Sequence, residues 1–131
     1  MITKKKEFTY RGKDLKELQA LDVREFAKYL PSRQRRTLLR NFQQIEDFLS
    51  RAKAKIVKGK KIRTHQRDLV IVPEMVGMKI QVYNGQNFLA VDVVGEMLGH
   101  KLGEFSLTRG KIKHGSAGVG ATKGTKHKSK K

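Results

Sequence analysis

MKIQVYNGQNFLAVDVV, residues 78–94, decides the fold class. Met78, Ile80 and Val82 alternate with Lys79 and Gln81, so a strand here has one apolar and one polar face. A second strand-like segment follows Asn84-Gly85, the strongest short hairpin signal. Just upstream, DLVIVP (68–73) is a β-branched run closed by proline and supplies a third strand. Downstream, GEMLGHKLG (95–103) reads as a short helix that Gly103 can close in the left-handed conformation. The expectation is an α+β fold: a small three-stranded antiparallel sheet packed with helices. It carries an N-terminal helical extension (1–58), a core (59–108) and an extended basic C-terminal tail (109–131).

The extension reads as helical. Asp14 with Glu17, and Asp22 with Glu25, have the spacing of capping boxes. Leu15, Leu18, Leu21, Phe26, Tyr29 and Leu30 supply an apolar side; Pro31 stops this stretch and Ser32 can cap the next. Leu38, Phe42, Ile45, Leu49 and Ala52 then fall on one stripe of an amphipathic helix. Arg33, Arg35, Arg36 and Arg40 crowd its first turn, where the helix dipole favours acids. They form either a solvated face or a docking site for something negative, and the second reading explains the cost.

The whole chain is basic. Thirty Lys and Arg against twelve acids give a net charge of +18 over 131 residues, so a polyanionic partner is expected. No apolar run approaches the roughly 20 residues of a membrane span, and MITKKKEFTYRGKD lacks the apolar core of a secretory signal. The absence of cysteine fits a reducing compartment.

The basic charge is segmented into Arg33–Arg40, a cluster around VKGKKIRTHQR that includes Lys60 and Lys61, and Arg109–Lys131, which includes Lys123. From Phe105 to the end there is no acid, while eight Lys and Arg and five Gly accumulate. Such a tail has little to bury and its charges repel, so it needs a polyanion to order it. GSAGVGAT (115–122) is not a phosphate loop: Ala121 stands where the lysine belongs, with no strand before and no helix after. Four dispersed histidines give no metal spacing, and no carboxylate pair is joined to a nucleophile. No enzyme, cofactor, metal or small-molecule substrate is expected. Glu104 reads as structural, and His65 and His114, within basic clusters, as hydrogen-bond partners of phosphate or ribose. Tyr83 and Phe88 flank the hairpin, but no pair of exposed rings marks a base-stacking platform. Phosphate contact and shape fitting on folded RNA follow from that balance.

RTHQRDLVIVPEMVGMKIQVYNGQNFLAVDVVGEMLGHKLGEFSLTRG (63–110) resembles the family of small-subunit ribosomal protein nineteen. IVPEMVG resembles its first core strand and turn, IQVYNGQ its hairpin, and VGEMLGHKLGEFSLTR its signature. ELQALDVREFAKYLPSRQRR and KHGSAGVGATKG are similar to the archaeal and eukaryotic branch, and an archaeal source is favoured. The resemblance implies a cytoplasmic, non-catalytic constituent of the small-subunit head, bound to rRNA beside ribosomal protein thirteen. Its tail would extend toward the decoding side, with A-site tRNA as a candidate partner. It also implies rRNA contacts from Arg63, His65, Arg67, Lys79, Arg109, Lys111, Lys113 and His114; the residues themselves add Arg33, Arg35 and Arg36. Rival readings are a protein that coats duplex DNA and an RNA-modifying enzyme.

Overall fold

The computed structural model describes residues 8–128. A short ribbon of β1 (Thr9–Tyr10) and β2 (Lys13–Asp14) leads into α1 (Leu15–Ala20), α2 (Val23–Phe26), α3 (Ser32–Arg40) and α4 (Phe42–Val57). Strands β3 (Ile62–Thr64), β4 (Lys79–Tyr83) and β5 (Phe88–Asp92) follow, with short 3-10 turns at Ala27–Tyr29, Pro73–Met75, Gly95–Met97 and Leu102–Phe105. The class is α+β. One buried apolar cluster runs from Leu18 on α1 to Leu102, so the helices and the sheet share a core.

The hairpin forms as the alternation predicts. Ile80 and Val82 are buried while Lys79 is exposed, and β4 pairs antiparallel with β5 from Lys79↔Asp92 to Tyr83↔Phe88. Its connection spans Asn84–Asn87. The Asn84 side-chain oxygen accepts from the backbone N–H groups of Gln86 and Asn87, and Gly85 takes φ +99°. An asparagine followed by a glycine thus closes the loop by local bonding.

The sheet is mixed, not antiparallel throughout. The neighbour of β4 on its other side is β3, paired parallel through Ile62↔Ile80 and Thr64↔Val82. DLVIVP lies outside this sheet. Leu69, Val70, Ile71 and Val72 are wholly buried, and the segment exchanges backbone bonds with residues 99–103: Ile71 N–H donates to His100 O, Gly99 N–H to Ile71 O and Leu102 N–H to Leu69 O. A run without alternation is one covered on every side. The true third strand, β3, is short; from Lys61 to His65 burial does alternate, with Ile62 and Thr64 buried and Lys61, Arg63 and His65 exposed, but the basic residues mask the period.

Residues 95–103 form no continuous helix. Two 3-10 turns flank Gly99, and it is Gly99 (φ +81°), not Gly103, that takes the left-handed conformation. Gly103 serves close approach instead, since a Cβ there would sit 2.9 Å from the Arg67 carbonyl oxygen. A Cβ at Gly99 would lie 2.9 Å from Leu30 Cδ2, so Gly99→Ala adds a core clash to left-handed strain of about 1–2 kcal/mol. Gly12 has φ +78° and open space around it. Thermal melts are expected to show Gly99→Ala losing clearly more stability than Gly12→Ala; equal losses would mean that Leu30 yields freely.

Among the helices, Asp22 and Glu25 form the predicted capping box, whereas the Asp14 side chain makes no cap bond. Pro31, not Ser32, occupies the N-cap position of α3. The single predicted stripe is divided at Asn41, yet Leu38, Ile45, Leu49 and Ala52 are all buried along it.

Candidate nucleic-acid interface

Alternation along the sheet sends Ile62, Ile80, Val82 and Val91 inward and leaves Arg63, Lys79, Gln81, Tyr83 and Phe88 on the outer face. Arg63 Nε donates to Gln81 Oε1 at 3.0 Å, and its guanidinium lies over the Phe88 ring, 5.4 Å from the centroid. Lys79 pairs with Asp92 at 3.7 Å, both exposed. His65, just past β3, brings its ring to 4.6 Å from Tyr83 and 5.1 Å from Phe88; Tyr83 and Phe88 are 5.0 Å apart. Tyr83 and Phe88 are half-buried, so they form no exposed pair; the sequence did not reveal the cluster because the third ring, just past β3, lies 18 or more residues away and is joined by the parallel pairing. The alternation of Ile62 and Thr64 with Arg63 and His65 was the signal that could have found it.

Cationic clefts open beside this face and, separately, on α3. Between α4 and β3 a cleft of about 280 Å³ is lined by Arg51, Lys55, Arg63 and His65, with Phe48 and Ile62 also lining it and, among the described residues, no carboxylate. Arg33, Arg36 and Arg40 on α3 form a second, of about 300 Å³, with Asn41, Lys101 and one acid, Asp68. Lys60, Lys61 and Lys79 rim a groove of about 610 Å³ beside Ile56 and Met78. Clustered cations on a surface are what a phosphate backbone engages.

Two of the expected contact residues are turned to the protein itself. Arg35 Nε donates to Ala27 O, and its Nη2 to Lys28 O and Leu30 O, at 3.0–3.1 Å. It thus gives a further donor to carbonyls at the end of the preceding turn, which accounts for one cation at the start of α3 without RNA. Arg67 Nη1 donates to Tyr83 O at 2.6 Å, and its Nη2 to Gly103 O at 2.7 Å and Ser106 O at 2.5 Å. Both remain candidates for RNA contact only through what those bonds leave over.

Arg109, Lys111, Lys113, His114 and Lys123 are all exposed, in a segment without helix or strand. GSAGVGAT lies in this tail, where Gly120 N–H donates to Thr125 Oγ1 in a local turn. Glu104 is bound to its own segment, by His100 Nδ1 at 2.8 Å and the Lys101 N–H at 3.3 Å. No described helix is long and apolar enough to cross a membrane.

The family described as ribosomal protein S19 matches residues 24–114. The small ribosomal subunit protein uS19 of the archaeon Methanocella arvoryzae is 47% identical over 125 residues, covering 95% of this chain and 87% of that protein. Both reach beyond the sheet into α3 and α4, and the relative extends to the archaeal type the N-terminal helices suggested. The chain belongs to the ribosomal protein S19 family, as a structural constituent of the small subunit of the cytoplasmic ribosome and not an enzyme.

Proposed function

We propose that the chain binds small-subunit rRNA in the head of the subunit, chiefly through phosphate, beside ribosomal protein thirteen and with its tail directed to the decoding side, near A-site tRNA. The observation that carries the rRNA reading is the pair of cationic clefts, one on α3 and one between α4 and β3, on a chain whose exposed tail is free of acids. Placement in the head, the neighbouring protein and the tRNA rest on the family resemblance. The three segments then divide the work: residues 1–58 present the α3 cleft, 59–108 the sheet face, and 109–131 a strand of charge that threads along RNA.

Arg33 and Arg36 test the reading, since the fold does not use their guanidinium groups for any hydrogen bond or ion pair among the described residues. Replacing both with Gln is expected to flatten the dependence of log affinity on log salt by about one to two units, at about 0.7–0.9 per phosphate released. Thermal stability should stay the same or rise, because two cations leave the start of a helix. The measurement is affinity for a head-domain rRNA fragment across a salt series, beside duplex DNA of equal phosphate count. An unchanged slope would remove α3 from the interface; tighter binding to duplex DNA would favour the DNA-coating alternative.

A further inference from the structure

We propose that His65, backed by Tyr83 and Phe88, is a stacking site for one unpaired RNA base, with the adjacent α4–β3 cleft holding that nucleotide's phosphate. This rests on the rRNA reading above and names which RNA feature the sheet face takes.

Three rings touch one another on the outer face, and His65 is the exposed member while Tyr83 and Phe88 are half-buried. The imidazole meets Tyr83 tilted at 49° and Phe88 edge-on at 77°, so neither ring stacks flat against it. Tyr83 and Phe88 alone, facing each other across β4 and β5, make an ordinary stabilising cross-strand pair. That role does not call for a third, exposed ring. The same imidazole also lines the cleft in which Arg51, Lys55 and Arg63 converge without a carboxylate. A flat ring face and a cationic cleft meeting at one residue match the two ends of a nucleotide, base and phosphate. Paired bases in an A-form helix are stacked inside and offer no free ring face, so the ligand is a base splayed from a bulge or loop. Stacking tolerates any base, which makes the site a reader of unpairing more than of sequence.

The experiment uses the full chain and two RNA hairpins with equal numbers of phosphates, one fully paired and one carrying a single bulged 2-aminopurine. The unaltered protein is expected to bind the bulged hairpin about tenfold more tightly, the size of one stacked base, and to quench the 2-aminopurine fluorescence. His65→Ala, at an exposed position, should keep the melting temperature and the salt slope and lose both the preference and the quenching. His65→Phe should keep both, because a ring face suffices. The proposal is overturned if His65→Ala retains the preference. It is equally overturned if His65→Phe fails as fully as His65→Ala, since the imidazole would then act by hydrogen bonding. Equal, salt-sensitive binding of both hairpins by the unaltered protein would sink the stacking site and leave phosphate binding standing; binding of neither would sink both.

Discussion

Replacing Arg67 with Met is expected to lower the stability of the free protein by about 3 kcal/mol or more, the largest loss of any single basic residue. Its guanidinium ties its own segment to two others remote in sequence, through the carbonyls of Tyr83 at the end of β4 and of Gly103 and Ser106 in and just after the last 3-10 turn. Hydrogen bonds from a charged donor contribute about 1.5–3 kcal/mol each, and truncation also strips this donor from the Tyr83 and Ser106 carbonyls, while Gly103 O keeps the Ser106 N–H at 3.4 Å. Solvent reaches part of this site, so the sum of three such bonds would overstate the loss. The backbone is shaped to the same end: the Gly103 N–H donates to Arg67 O at 2.8 Å, an approach that a Cβ at 103 would obstruct. Arg67→Lys should recover little, because an ammonium cannot present the planar fork that reaches several carbonyls at once. Chemical denaturation followed by circular dichroism measures the loss. If Arg67→Met unfolds at nearly the denaturant concentration of the unaltered chain yet binds RNA weakly, Arg67 is a contact residue and the clamp is incidental.

The contrast between Arg67 and Arg33 shows where sequence stops being informative. A guanidinium seeks oxygen, and a main-chain carbonyl and a phosphate both provide it. In a row of letters Arg35 and Arg36 are indistinguishable, yet one folds back on Ala27, Lys28 and Leu30 while the other lines an open cleft. What was legible was local: the period-two alternation of β4, the turn chemistry of Asn84-Gly85, the box of Asp22 and Glu25, and the stripe that buries Leu38, Ile45 and Leu49. What was not legible depended on long-range pairing. β3 is three residues long and basic on its outer side, so its charge outweighed its alternation. The fully apolar run 69–72 satisfied every criterion of a strand except having a strand beside it. The ring cluster at His65 was hidden for the same reason, since only the parallel pairing of β3 with β4 brings it together.

Deleting residues 116–131 is expected to weaken rRNA binding by the largest factor of any change that leaves the fold intact. The segment removes Lys123, Lys126, Lys128, Lys130 and Lys131, five charges and no acid. Of its described part, 116–128, no residue is buried, and the hydrogen bonds there are local, such as Thr125 N–H to Thr122 O. The core therefore loses nothing, and the melting temperature should be unchanged. If each lysine neutralises one phosphate, the salt slope flattens by about four units, at about 0.7–0.9 per phosphate. Such a slope change leaves the truncated chain weaker by orders of magnitude at low salt, with the gap narrowing steeply as salt rises. The clefts on α3 and beside β3 are untouched, so preference for a head-domain rRNA fragment over an unrelated folded RNA should survive: lysine on phosphate carries little sequence information. Affinity of both chains for both RNAs, measured from low to moderate salt, separates the outcomes. An unchanged slope would show that the tail does not reach phosphate. A lost preference at unchanged slope would show that the tail reads a particular site, with the sheet and helices reduced to the platform that delivers it.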